Sequence, residues 1–108
     1  MNRTVSDSCE TSLKKMCKGI MKALEEESPE EFLEGVLDIK RVQVLMGEGW
    51  VTVDYIFLVA WGGPNIEVNG YEDAVIGRWG NYNVRMPFTP EAERKYEEIR
   101  EYLDEIYE

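Results

Sequence analysis

The segment from Trp50 to Ala60 constrains the fold more strongly than any other part of the chain. Its first half largely alternates apolar and polar side chains, and its second half is apolar at every position. This pattern predicts a strand that is buried on one face at its beginning and on both faces at its end. We therefore expect a central strand of a sheet, with one face formed by Val51, Val53, Tyr55, Phe57 and Val59.

Shorter apolar segments on either side predict the neighbouring strands. Gly47-Glu48-Gly49 is a turn signal, and Asn69-Gly70 is typical of a two-residue hairpin loop. Gly62-Gly63-Pro64 predicts the bend that turns the central strand into its neighbour. We expect an antiparallel meander sheet of about four strands, at residues 41–46, 50–60, 65–68 and 71–76. Residues 82–86 are a candidate for a last edge strand.

The two ends of the chain predict long amphipathic helices. Near the N-terminus, Asp7 or Ser8 can cap a helix whose apolar residues recur every three or four positions between residues 13 and 24. Near the C-terminus, Thr89 is a good N-cap and Pro90 suits the first helical position. The buried stripe of this last helix is predicted to contain Tyr96, Ile99, Leu103 and Ile106.

A shorter helix is predicted between the first helix and the sheet. Ser28 can cap it, Pro29 fits its first position, and Glu31 completes a capping box. We expect it to end at Leu37 or Asp38. Helices segregated from a meander sheet are typical of an α+β fold. All 108 residues are thus expected to form one domain, with two N-terminal helices and one C-terminal helix packed on one face of the sheet.

The acidic charge of the chain is unevenly distributed. The formal net charge is −10. Residues 23–38 contain seven acidic and no basic residues, and residues 89–108 contain eight acidic and three basic residues. A surface of this kind repels nucleic acid and attracts basic protein surfaces. The alternative interpretation is a solvated helix surface that serves solubility alone.

The side chains that commonly carry catalysis are sparse. The chain has no histidine, which excludes Ser-His and Cys-His nucleophilic pairs. Cys9 and Cys17 are too few for structural zinc, so we expect Cys17 in the core, Cys9 as a surface thiol, and neither metal nor cofactor. One catalytic hypothesis stays open, because four carboxylates could converge to bind Mg²⁺ or to transfer protons: Asp54, Glu67, Glu72 and Asp73.

The N-terminal residues have no apolar core of the kind found in signal peptides. The longest apolar run, from Tyr55 to Trp61, is far shorter than the roughly 18 residues of a membrane span. We therefore expect a cytoplasmic protein.

The order of motifs from Tyr55 to Trp79 resembles small proteins of phages and mobile elements. In those proteins a strand with a Tyr-x-x-x-Leu pattern enters a Gly-Gly-Pro turn, and a tryptophan follows downstream. The matching residues here are Tyr55, Leu58 (one position closer to the tyrosine than in that pattern), Gly62, Gly63, Pro64 and Trp79. Small acidic phage-borne proteins include anti-CRISPR proteins, many of which block a basic nucleic-acid channel of a Cas effector. The resemblance thus implies a non-catalytic inhibitor that acts in the host cytoplasm as a DNA mimic.

This hypothesis assigns contact roles to seven acidic residues and to one apolar anchor. The anchor is expected to be Trp61 or Trp79, both of which lie next to glycine-rich turns. The acidic contact residues are expected to be Glu30, Glu31, Glu34, Glu97, Glu101, Asp104 and Glu105. A different hypothesis is a small self-associating domain of structural role, which forms a homodimer through the open face of its sheet.

Overall fold

The structure is a computed structural model, and it describes the backbone of residues 5–107 and the side chains of residues 9–107. Within that range the chain forms three helices and one antiparallel sheet of five strands. The elements are α1 (Val5–Glu26), α2 (Pro29–Glu34), β1 (Asp38–Met46), β2 (Gly49–Ala60), β3 (Asn65–Asn69), β4 (Ala74–Trp79), β5 (Tyr82–Pro87) and α3 (Pro90–Tyr107).

The predicted α+β meander is confirmed. The strands follow one another across the sheet in chain order, so every strand pairs with its neighbour in sequence. Residues 82–87 form a full fifth strand, because their alternating pattern places Val84 and Met86 against the core. All three helices contribute to that core, which covers one face of the sheet and includes Leu13, Cys17, Leu24, Phe32, Phe57, Val68, Val75, Tyr96 and Ile99.

The expectation that Val51 and Tyr55 share a face is wrong, because β2 contains a bulge. Val42 pairs with Asp54 whereas Gln43 pairs with Thr52, so one residue of β2 is left without its own partner on β1. An extra residue of this kind reverses the alternation of side chains beyond it. Thr52, expected on the outer face, consequently lies on the helix side of the sheet with Tyr55.

The short helix α2 begins as predicted but ends earlier. The Ser28 hydroxyl accepts a hydrogen bond from the Glu31 backbone N–H at 3.2 Å, which confirms the predicted cap. The helix ends at Glu34 rather than at Leu37, since the Leu37 N–H already donates to the Leu58 carbonyl at 2.8 Å. Strand pairing therefore begins where helical hydrogen bonding was expected to continue, and β1 begins at Asp38.

The two long helices form as predicted, but Ile106, expected in the buried stripe of α3, is 55% exposed. Helix α1 begins at Val5, before the predicted Asp7–Ser8 cap, whose side chains lie outside the described ones. In α3 the Thr89 hydroxyl accepts a hydrogen bond from the Ala92 N–H at 3.1 Å, as expected of an N-cap. Within the described residues, no helix is long and apolar enough to cross a membrane.

Helix α1 approaches the sheet closely at Gly77 of β4. A Cβ atom at this position would lie 2.6 Å from the Cys17 Sγ and 2.9 Å from the Leu13 Cδ1. The absence of a side chain on Gly77 thus makes room for the buried stripe of α1. Cys17 is fully buried, as predicted, and burial raises the pKa of its thiol, whereas Cys9 is half-buried.

The loop after Asn69 has four residues, where the Asn-Gly pair predicted two. Asn69 Oδ1 accepts a hydrogen bond from the Glu72 N–H at 2.9 Å, and Asp73 adopts a positive φ of 55° before β4 begins at Ala74. Gly70 lies directly beneath the ring of Tyr96. This contact fixes how α3 lies on the end of β3.

The hairpin of β1 and β2 extends well beyond the rest of the sheet. Strand β3 pairs only with the second half of β2, from Ile56 to Ala60. Residues 42–53, called the arm below, therefore project past the end of β3, and the molecule measures 59 × 29 × 23 Å. The arm carries a group of exposed large apolar side chains: Val44, Leu45, Met46, Trp50 and Val51.

Candidate functional site

The acidic side chains of the two predicted blocks lie on the helical side of the sheet. In α2, the side chains of Glu30, Glu31 and Glu34 are all exposed. In α3, whose buried stripe includes Tyr96 and Leu103, the opposite face exposes Glu97, Glu101 and Glu105 at intervals of four residues. A spacing of four residues keeps side chains along nearly one line of a helix. Six of the seven predicted acidic contact residues are thus exposed to solvent.

Only part of this acidic charge is neutralised locally. On α3, Arg100 lies 3.6 Å from Glu97, and Lys95 lies 3.8 Å from Glu98. Among the described residues, neither Glu101 nor Glu105 has a basic side chain within 4.0 Å, and the same is true of the acidic residues of α2: Glu30, Glu31 and Glu34. No basic side chain among the described residues therefore competes with a partner for these carboxylates.

Asp104, the seventh predicted contact residue, has a different environment. Its Oδ1 accepts a hydrogen bond of 2.7 Å from the hydroxyl of Tyr55, and its side chain is half-buried. This bond joins the C-terminal part of α3 to β2. Asp104 therefore holds the helix against the sheet, and its remaining oxygen is less available to a partner than the carboxylates of Glu101 and Glu105.

A second hydrogen bond from α3 closes the edge of β2 where β3 ends. The Tyr96 hydroxyl accepts a bond of 2.9 Å from the Tyr55 backbone N–H and donates one of 3.0 Å to Asp54 Oδ1. An N–H at this place in a sheet would ordinarily bond to the next strand, but β3 stops at Asn69, opposite Ile56. The Tyr96 hydroxyl thus supplies the hydrogen-bond acceptor that a neighbouring strand would otherwise provide. Sequence reasoning placed Tyr96 in the core but gave no signal for this role.

Strongly alkaline solution is expected to unfold the protein through Tyr55 and Tyr96. Burial, and a nearby carboxylate in each case, raises the pKa of both phenols above the ordinary value of about 10. At pH values between the pKa of a phenol in the unfolded chain and its higher pKa in the folded chain, the unfolded chain loses a phenolic proton that the folded chain keeps. Stability is therefore complete below about pH 10 and falls above it, by up to about 1.4 kcal/mol per pH unit for each phenol.

Urea unfolding followed across this alkaline range measures the effect. The variant Tyr55→Phe, which lacks one of the two phenols, should show a shallower decline of unfolding free energy with pH. An identical slope in that variant would contradict the assignment.

The two candidate anchors differ in exposure. Trp61 is 71% exposed, whereas Trp79 is half-buried and packs against the core. Trp61 also lies beside Leu37, which is 63% exposed, over a groove of about 380 Å³. We call this the Trp61 patch, and its lining residues are Leu37, Asp38, Lys40, Leu58 and Trp61. Of the two tryptophans, Trp61 is the one that offers a free apolar face.

The four carboxylates of the catalytic hypothesis do not converge. Asp54 accepts from Tyr96, and Glu67 and Glu72 pair with Arg78 and Arg85, at 3.7 and 3.8 Å. Asp54 pairs with β1 beyond the end of β3, so it does not lie opposite Glu67 in the sheet register. Among the described side chains, no group of three or more potential ligands could hold a metal ion. The carboxylates serve ion pairs and hydrogen bonds across the sheet and its loops.

No protein-family model, curated protein sequence or solved structure matches this chain. The charge, exposure and hydrogen bonding of its own side chains are therefore the observations that bear on its function.

Proposed function

We propose that this protein is a non-catalytic binding protein that covers a basic surface of its partner. The observation that supports this function most directly is the set of exposed carboxylates with no ion pair among the described residues, on α2 and at Glu101 and Glu105 of α3. The resemblance of residues 55–79 to phage proteins makes a Cas effector nuclease complex the most concrete partner, with the inhibitor occupying a basic nucleic-acid channel. In that role the protein acts as an anti-CRISPR in the host cytoplasm.

The spacing of the carboxylates indicates how much of the binding they can supply. Four residues of an α-helix rise about 6 Å, so Glu97, Glu101 and Glu105 present one charge for about every 6 Å. A single DNA strand presents one phosphate for about every 3.4 Å of helix axis. The row of acidic residues on α3 thus has at most about half the linear charge of a DNA strand, and less at Glu97, whose charge is offset by Arg100 at 3.6 Å. Charge of this density steers association, but an apolar contact is needed to hold the complex.

The Trp61 patch is the apolar contact that we assign to this function. Leu37 follows the acidic helix α2 by three residues, whereas Lys40 and Leu58 lie on the sheet face opposite the helices, so the patch borders α2 at the edge of the sheet. A buried aromatic anchor with a charged rim is the usual composition of a binding hot spot. The partner is accordingly expected to present an apolar pocket beside its basic surface.

Reversing two charges on α3 tests the proposal. The variant Glu101→Lys/Glu105→Lys is expected to bind a captured Cas effector about 100-fold more weakly, because like charges now face each other across the interface. The measurement pairs a pull-down from a panel of Cas effectors, at low and high salt, with a target-DNA cleavage assay on any effector recovered. Binding of the unchanged protein should weaken as salt rises.

A matched control variant tests whether the loss of binding depends on where the charges are reversed or only on the net charge of the protein. The variant Glu10→Lys/Glu48→Lys changes the net charge by the same amount, on α1 and at the tip of the arm, and is expected to inhibit as well as the unchanged protein. Equal inhibition by both variants would overturn the acidic contact surface. Recovery of no effector from the panel would remove the Cas complex as the partner.

A further inference from the structure

The arm exposes apolar surface that the acidic binding surface does not explain. Leu45 and Trp50 are directly opposite each other across the hairpin, and each side chain is 66% exposed. Val44 and Val51 form the neighbouring pair on the other face and are also exposed. A two-stranded hairpin is marginally stable in water when nothing covers it. An arm of this composition is therefore typical of a segment that packs against another molecule.

The exposed area is sufficient for a small dimer. At their exposed fractions, the five apolar side chains of the arm present on the order of 500 Å², since one tryptophan alone contributes 150–250 Å² when buried. Patches of this size are at the upper end for monomeric proteins and are often functional. Leu45 and Trp50, which share one face, account for about 300 Å² of this area, so a contact through that face buries about 600 Å² in total, in the range of weak and transient interfaces.

The charge of the arm favours a second copy over a basic partner. Residues 42–53 contain one charged residue, Glu48, in a chain with a net charge of −10. A basic surface meets only one acidic residue on the arm, Glu48 at its turn, whereas an identical arm offers a matching, largely neutral and apolar surface. The C-terminal end of α3 lies beside this face of the arm, since Trp50 and Thr52 line one pocket with Asp104 and Tyr107. The acidic charge of α3 therefore opposes a second copy at low salt, and added salt screens this repulsion.

We propose that the arm is the contact surface of a symmetric dimer. The Leu45–Trp50 pair of one copy packs against the same pair of the second copy about a two-fold axis, as isologous interfaces require. The pairs on the other face, which include Val44 and Val51, are then partly covered at the edge of the contact. The association is weak, in the micromolar range, as expected for an interface of this area. It does not depend on the proposed function of the acidic helices.

Sedimentation velocity from low micromolar to millimolar protein tests the proposal. The unchanged protein should pass from monomer to dimer, and high salt should strengthen the dimer because it screens the repulsion between two acidic chains. Salt should have the opposite effect on binding to a basic partner, which weakens as salt rises. The variant Leu45→Thr/Trp50→Thr, which keeps good strand formers, should dimerise at least tenfold more weakly. The control Trp61→Thr removes an equally exposed tryptophan from the other end of β2 and should leave the dimer unchanged.

A fluorescence measurement keeps the test decisive if the threonine variant folds poorly. The chain has three tryptophans, so Trp61→Phe/Trp79→Phe leaves Trp50 as the only one. Its emission should shift to shorter wavelength as the protein concentration rises and Trp50 becomes buried. A monomer across the whole concentration range, or a dimer whose formation leaves the Trp50 emission unchanged, overturns the proposal.

Discussion

Gly70→Ala is expected to lower the free energy of unfolding by about 3 kcal/mol. A Cβ atom on Gly70 would lie 2.0 Å from both the Cζ and the hydroxyl oxygen of Tyr96. That ring cannot move aside easily, because it packs between Phe57 and Phe88 and its hydroxyl bonds to the Tyr55 N–H. Overpacking a rigid core usually costs about 1–3 kcal/mol, and contact with a fixed aromatic ring places this substitution at the upper end.

Urea unfolding followed by circular dichroism measures the Gly70→Ala loss. Gly19→Ala is the matched control, since a Cβ there meets nothing within 4 Å and lies in the interior of α1. That substitution should raise the stability by up to about 1 kcal/mol. In a Tyr96→Leu background, Gly70→Ala should cost much less than it does in the unchanged protein. A loss of under about 0.5 kcal/mol for Gly70→Ala alone would show that Tyr96 does not hold its place.

Tyr96→Phe is expected to lower the free energy of unfolding by about 2 kcal/mol. The substitution keeps the ring but removes the hydroxyl that accepts from the Tyr55 N–H and donates to Asp54. A buried N–H left without an acceptor costs about 1–3 kcal/mol. The loss should exceed that of Tyr102→Phe, because among the described residues the Tyr102 hydroxyl makes no hydrogen bond, and its ring is only half-buried.

Hydrogen exchange gives a readout that is specific to the edge of β2. The amide of Tyr55 should be well protected in the unchanged protein and should exchange faster in Tyr96→Phe, under conditions where both proteins stay folded. The amide of Phe57, which lies where β3 covers β2, should be affected much less. Unchanged protection of the Tyr55 amide in the variant would contradict the role of the Tyr96 hydroxyl.

Local signals in the sequence were sufficient for the element order and for the helix caps. Ser28 and Thr89 cap their helices because a side-chain oxygen three residues ahead of a backbone N–H is a purely local geometry. The glycine-rich turns before and after β2 were located correctly for the same reason, whereas Gly77 to Trp79, also expected in a turn, belong to β4. The Asn69-Gly70 loop was correctly positioned but too short in the prediction, since its length depends on an Asn69–Glu72 hydrogen bond and a positive φ at Asp73.

Features that depend on distant residues could not be predicted. The bulge near Val53 results from the pairing of two strands, and nothing in β2 alone indicates it. The bond between Tyr96 and Tyr55 joins residues 41 positions apart. The exposure of Glu97, Glu101 and Glu105 followed from their position opposite the apolar stripe of α3, whereas Asp104 became half-buried through its bond to Tyr55. Trp79 lies on the strand ladder opposite Tyr82, which turns it toward the core.

The order of the strands has a consequence for how quickly this chain can fold. Because each strand pairs with its neighbour in sequence, the whole sheet can form by closing short loops one after another. The contact between α1 and α3, by contrast, joins the two ends of the chain across the complete sheet. Assembly of the meander thus requires only short loop closures, and the docking of the terminal helices on the sheet is expected to be the slower event.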